Sequence, residues 1–208
     1  MRLDGTPMTD PDDTPSHLLL PTLPLRDLCL FPEASLALSV TDPAWLKAIE
    51  MAERSKFPLL ALAERDEDGP PPGLYTVGTL AALVHSELRP DGRRVELDGL
   101  RRARALSFVL GPPVIAEAEL LEDGDPGDDW GGAVEALARY LHAHPELRAF
   151  LNQQRRSPEP MSWVNLACQH LPIAATARQR LLEADARERC LKISRGLDAL
   201  LRKEHLTA

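Results

Sequence analysis

Cysteine is scarce in this chain of 208 residues, and its three copies, Cys29, Cys168 and Cys190, form an odd set with no C-x-x-C spacing. That argues against a disulfide framework or a zinc site and for buried thiols in a reducing cytoplasm. Positive charge is also short. Lys and Arg number 24 against 32 Asp and Glu, a formal net charge of −8, which disfavours non-specific binding to nucleic-acid phosphates or anionic lipid. No apolar run reaches the ~20 residues needed to span a bilayer. The acidic, proline-broken opening MRLDGTPMTDPDDTPS lacks the cationic start and apolar middle of a signal peptide, so a cytoplasmic protein is expected.

What is present is an ordinary globular balance, with 44% hydrophobic and 27% charged residues. The 19 prolines gather at apparent element boundaries. A domain of about 150 residues buries roughly 70% of its unfolded surface, so one large domain or two small ones fit this length.

Residues 1–17 read as a mobile tail. From 18 to 123 the pattern is mostly strand-like, with one helix. SLALSV (35–40), PLLALAE (58–64), LYTVGTLAALVHSEL (74–88), VELDG, LRRARALSFV and VIAEAELLE (114–122) read as strands. In the last, Ala116 and Ala118 alternate with Glu117 and Glu119, as on a strand with one wet face. Gly78 suggests a bulged or bent strand, and the Asp-Gly of RPDGRR a hairpin. The helix of DPAWLKAIEMAERS begins with Asp42 as N-cap and Pro43 at its first position, with Trp45, Ile49 and Ala52 on one face. These elements imply a closed or partly closed barrel. The composition changes at DGDPGDDWGG (123–132), with 124–132 read as a linker and the rest as a helical bundle over 133–208. Val134, Leu137, Ala138 and Leu141 make one stripe, Pro145 breaks a helix, and Ile193, Leu197, Leu200 and Leu201 make the last stripe.

Few residues suggest chemistry. GPPPGLYT has the wrong glycine spacing and no lysine for a phosphate loop. His142 and His144 are two apart, on different helix faces, so no metal set is suggested. Ser86, Ser107 and Ser162 lie in no nucleophile elbow, and Glu117 with Glu119 reads as a solvated face. No catalytic, cofactor-binding or metal-binding residue is assigned. An unrecognised hydrolase stays a minor alternative, since triads assemble in space. Arg93, Arg94, Arg101, Arg102 and Arg104 are the one basic concentration. They allow an RNA-binding reading, but nearby Glu96 and Asp98 and the lack of interleaved aromatics favour solvated or ion-paired arginines.

Several stretches, in order, resemble a known family. LPTLPLRDLCLFPEASLALSV resembles the opening of the N-terminal, substrate-binding domain of Lon proteases (peptidase S16 Lon-domain family), through Pro24, Leu25, Arg26, Phe31 and Pro32. LYTVGTLAALV resembles its apolar strand through Val77, Gly78 and Thr79. LDGLRRARAL resembles its Gly-x-x-Arg-Ala-Arg segment through Gly99, Arg102, Ala103 and Arg104. HLPIAATARQRLLEADARERCLKI resembles its helical part through Leu171, Pro172, Asp185, Glu188, Arg189 and Leu191, with Cys190 interposed. The resemblance covers roughly residues 20–205.

It implies an α+β fold, a PUA-like pseudo-β-barrel of about six strands plus a helix followed by a helical bundle. It also implies a non-enzymatic module that binds unfolded proteins, partner proteins or peptides, without nucleic acid, membrane or cofactor. The Lon ATPase and Ser-Lys protease modules have no counterpart here, so a stand-alone substrate-binding domain is expected. The matched positions Pro24, Leu25, Arg26, Phe31, Pro32, Gly78, Gly99 and Arg102 read as mainly structural. Glu33 departs from the family's usual glycine after Phe-Pro, so a different turn is expected there. Pro21 and Pro24 are expected to fix the ends of the first strand.

Overall fold

The computed structural model describes residues 17–65, 72–154, 157 and 159–207. The tail reading of 1–16, and the first three residues (69–71) of the loop compared with a phosphate loop, lie outside the described residues.

The first strand, β1 (Leu18–Leu25), contains both Pro21 and Pro24 within its length rather than only at its ends. It tolerates them because it changes neighbours midway. Leu18–Pro21 pair antiparallel with β6 (Ile115–Leu120), and Thr22–Leu25 pair parallel with β3 (Leu59–Ala63). The Thr22 N–H still donates to Val114 O. Alternation then turns the Pro21 nitrogen toward β3 before that pairing begins, and the Pro24 nitrogen toward β6 after that pairing has ended. Neither ladder loses a donor.

β2 (Ser35–Val40), β4 (Val77–Arg89) and β5 (Gly92–Val109) complete the six-stranded sheet, in the order β2-β5-β4-β3-β1-β6. β5 has 18 residues and three partners. It pairs with β4 through Gly92–Arg104, with β2 through Arg93–Asp98, and with β6 through Ala103–Val109. The β5–β6 pairing closes a ring, and β2 lies outside it as an extra strand. Helix α1 (Pro43–Ser55) starts as expected, with the Asp42 carboxylate accepting from the Ala44 N–H at 2.8 Å. It buries Ala48, Ile49 and Ala52 against the sheet. The hairpin loop is Pro90–Asp91, with Gly92 already in β5.

Gly78 is not at a bulge. The register shifts lie between Leu80 and Ala81 and between Leu83 and His85. At Gly78 a Cβ would stand 2.1 Å from Ala61 O, and at Gly99 one would stand 2.1 Å from Phe31 O. Both glycines are set by close backbone approach. Gly99 also donates to Ala34 O and accepts from the Glu33 N–H, each at 2.8 Å. Gly99→Ala should therefore destabilise the chain by about 1–3 kcal/mol. Urea unfolding measures this, and an unchanged midpoint would mean that the 31–34 loop is not pinned to β5.

Among the described residues five helices follow the barrel: α2 (Asp129–Ala143), α3 (Pro145–Gln154), α4 (Pro160–His170), α5 (Ala175–Glu183) and α6 (Ala186–Thr207). α2 starts inside the segment read as a linker. Its buried face is Ala133, Ala136, Leu137, Tyr140 and Leu141, so the expected stripe is rotated and Ala138 is exposed. α4 is enclosed almost all round, with Ser162, Asn165 and Gln169 buried beside Val164, Leu166 and Cys168. The α+β class expected from the sequence is the one that forms.

The helical core is not made by helices alone. Cys29, Phe31 and Ala34, from the loop after β1, pack in one cluster with Leu137, Tyr140, Leu166 and Leu197, while Leu30 turns back into the barrel core. The loop between β1 and β2 is thus a wedge shared by both halves.

Candidate functional site

Of the motif positions, Phe31, Arg102 and Arg189 meet at the joint between barrel and bundle, while Leu25 packs in the barrel core and Gly78 lies against Ala61 of the sheet. Arg26 lies outside the joint, mostly exposed, paired with Glu64 at 3.0 Å where the chain leaves β1. Asp27 (φ 56°) and Glu33 (φ 60°) both adopt left-handed backbone. Glu33 thus holds a backbone conformation that glycine adopts more readily. The Phe31 N–H donates to the Gln169 side-chain oxygen at 3.0 Å, and the Gln169 amide donates to Ser35 O at 2.7 Å. The Gln179 amide donates to Val77 O at 2.9 Å.

Beside this lies a buried charge cluster. Arg102 on β5 and Arg189 on α6 are 4% and 0% exposed, and both donate to the Asp123 carboxylate. Arg102 also donates to Glu122 O and Glu183 O, and Arg189 to Leu181 O, Ala184 O and the Asn165 side chain. The carbonyls at the α5 C-terminus carry partial negative charge, so they complement the second guanidinium. Burial lowers the Arg102 pKa, and Asp123 opposes that. This arrangement is a latch, and its cations are too enclosed to reach a nucleic-acid backbone.

Three of the other four arginines of the basic set, all but Arg94, are engaged as well. Arg93 holds Glu53 at 2.7 Å, Arg101 lies 3.6 Å from Glu122, and Arg104 pairs with Glu119 at 3.1 Å. Ser107 donates to Glu117 at 2.9 Å, and His17 meets the other oxygen of the same carboxylate at 2.9 Å. Those two bonds hold the exposed Glu117 below the usual carboxylate range. The carboxylate thus stands between Ser and His, whereas a hydrolytic triad needs the histidine against the serine. Burial pushes the Cys29 and Cys168 thiols up to about 12, so both stay protonated and poorly nucleophilic at neutral pH. Among the described residues no group of three or more His, Cys, Asp or Glu is placed to hold a metal. Among them too, no helix is long and apolar enough to cross a membrane.

The arrangement that offers itself to a ligand is a groove of about 360 Å³ between α5 and α6. Its floor is Leu181, Ile193 and Leu197, and Leu171, Ile173 and Leu200 stand at its ends and sides. Ala177 and Gly196 face it without bulk. A Cβ on Gly196 would meet nothing within 4 Å. A glycine inside a helix costs roughly 0.5–1 kcal/mol relative to alanine, and here it leaves one wall open. The charged residues lining the groove are both cations, Arg180 and Lys192. Sequence reading places Ile193, Leu197 and Leu200 in a stripe that serves either a bundle core or a groove between helices, without locating the groove, although a glycine amid that stripe was a visible signal. A second hollow, of about 380 Å³ between α1 and β4, is more mixed. It includes Glu53, Lys56, His85 and Ser86 beside the exposed Phe57 and Val84.

Comparison with known proteins agrees with the order of elements. Residues 19–198 match the model of the ATP-dependent protease La (LON) substrate-binding domain. Lon protease 1 of Thermus thermophilus is 31% identical over 199 residues, covering 89% of this chain and 25% of that protein. The Lon protease of Geobacter metallireducens is 27% identical, covering 97% and 26%. The chain thus spans about a quarter of the length of these curated relatives. The N-terminal domain of Mycobacterium avium complex Lon protease superposes with a TM-score of 0.70 at 18% identity, over 87% of this chain and 98% of that one. A Lon N-terminal domain protein from Xanthomonas campestris gives 0.61 at 20%, over 84% and 95%. With the family model matching most of its length and the same fold in both solved domains, the chain belongs to the Lon substrate-binding domain family.

Proposed function

We propose that this chain is a cytoplasmic protein- and peptide-binding module that performs no chemistry itself and takes apolar segments of other proteins into the α5–α6 groove. The observation that carries the reading is the apolar groove held open by Gly196 in the interior of α6. Family membership supports the class of ligand, and the matched region of the relatives is their substrate-binding part.

The test is titration of a fluorescent, permanently unfolded model protein against the chain and against Gly196→Trp. The expected result is micromolar binding that Gly196→Trp weakens at least tenfold, with no ATP hydrolysis and no cleavage. Gly196→Ala serves as the folded control and should be more stable by about 0.5–1 kcal/mol. Absence of binding at high micromolar concentration overturns the reading, and equal binding by the tryptophan variant removes the groove from it.

A further inference from the structure

We infer that the groove's occupant is an amphipathic helix of another protein, with acidic residues beside its apolar stripe. The inference rests on the binding reading above and narrows it to one ligand class.

Backbone chemistry decides between a helix and an extended segment. An extended peptide carries unpaired N–H and C=O groups and docks well only where a sheet edge can pair them. Both long walls here are α-helices, whose backbones already bond to themselves; at the end formed by Leu171 and Ile173 the Ile173 N–H donates to Leu171 O and Arg178 donates to both carbonyls, and the polar side chains of the lining are two cations. A strand in this groove would leave its backbone unsatisfied against apolar surface. A helix arrives with its backbone bonds made.

The dimensions agree. Along α6 the groove runs from Lys192 to Leu200, about 12 Å at 1.5 Å per residue. Apolar anchors at i, i+4 and i+7 of a docked helix span about 10.5 Å. Lys192, Gly196 and Leu200 form one i, i+4, i+8 row on α6, the kind of row against which a helix ridge packs. Gly196 at its centre, with the small Ala177 of α5 also lining the groove, lets the incoming backbone come close.

Charge sets the flanks. No carboxylate lines the groove, although the whole chain is acidic with a net charge of −8. Arg180 is exposed and has no ion-pair partner among the described residues. Lys192 pairs only with Glu188 of its own helix, at 3.0 Å, with both side chains substantially exposed. Glutamates flanking the apolar stripe of the occupant would meet both cations.

Fluorescence anisotropy with three peptides of equal length tests this. One is a helix with leucines at i, i+4 and i+7 and flanking glutamates, the second has the same composition scrambled to destroy the stripe, and the third has lysines for the glutamates. The first should bind at least tenfold tighter than either of the others and lose about tenfold against Gly196→Trp. Arg180→Glu should weaken the glutamate peptide and strengthen the lysine peptide. If the scrambled peptide binds as well as the first while Gly196→Trp still blocks it, the helical occupant is refuted and the groove reading survives. Charge reversal without effect refutes the acidic flank. If neither these peptides nor an unfolded protein binds, both readings fall. A concentration-dependent dimer that Gly196→Trp dissociates in sedimentation would identify the occupant as a second copy of the chain and overturn the inference.

Discussion

Asp123→Ala is expected to lower the stability of the chain by roughly 3–5 kcal/mol, because it strips the counter-charge from two buried guanidiniums. Arg102 and Arg189 come from opposite halves of the molecule, and the same carboxylate receives both. Without it, two positive charges stand side by side with only peptide dipoles and the Asn165 side-chain amide as hydrogen-bond partners. Asp123→Asn keeps the shape and an acceptor oxygen, so it should fall between wild type and alanine. Arg139 and Asp198 form an exposed pair at 3.0 Å, and Asp198→Ala should change stability by about 0–1 kcal/mol. Urea midpoints for the three variants make the comparison. A loss at Asp123 no larger than that at Asp198 would show that the cluster does not hold the halves together. Replacing Arg102, Asp123 and Arg189 together by apolar residues of similar size should recover much of the loss, since the cost lies in unpaired charge rather than in absent attraction.

Phe31→Ala is expected to cost about 3–5 kcal/mol. The ring is fully buried among helical residues although it belongs to a loop of the barrel. The Arg189 guanidinium lies 5.9 Å from its centroid, so the same substitution also uncovers part of the charge cluster. Alanine keeps the backbone bond to Gln169, which isolates the loss of the ring itself. The barrel and the bundle should then separate in their response to urea. Wild type should unfold in one transition by circular dichroism and tryptophan fluorescence alike, with Trp45 on α1 and Trp130 and Trp163 in the helices as probes. In Phe31→Ala the two signals should diverge. Coincident transitions at an unshifted midpoint would refute the wedge.

Local patterning made most of the elements legible in the sequence. The alternation of Ala116 and Ala118 with Glu117 and Glu119 describes a strand with one buried face, and Asp42-Pro43 describes a helix start. Both depend on neighbours within a few residues. The joint was less legible. Asn165, Gln169 and Gln179 are polar residues that a helical pattern assigns to solvent, yet each is buried because its partner lies on another element. Arg189 was visible only through a family motif and Arg102 only through a motif and the basic concentration, while Asp123 opened the acidic stretch DGDPGDDWGG and carried no signal of its own. The groove was obscured for a different reason. Its floor residues also serve the bundle core, so their spacing looks the same whether a partner covers them or not.

The shared wedge also bears on how the chain is made. Phe31 leaves the ribosome long before Gln169, the residue 138 positions later that receives its N–H. Barrel strands emerge and can pair while Cys29 and Phe31 still lack the helices that cover them. Chains fold from the N-terminal side during synthesis at about 5–20 residues per second, so this apolar loop stays bare for roughly 7–28 seconds. During that interval the nascent chain displays the kind of exposed hydrophobic segment that its finished groove is proposed to capture in others.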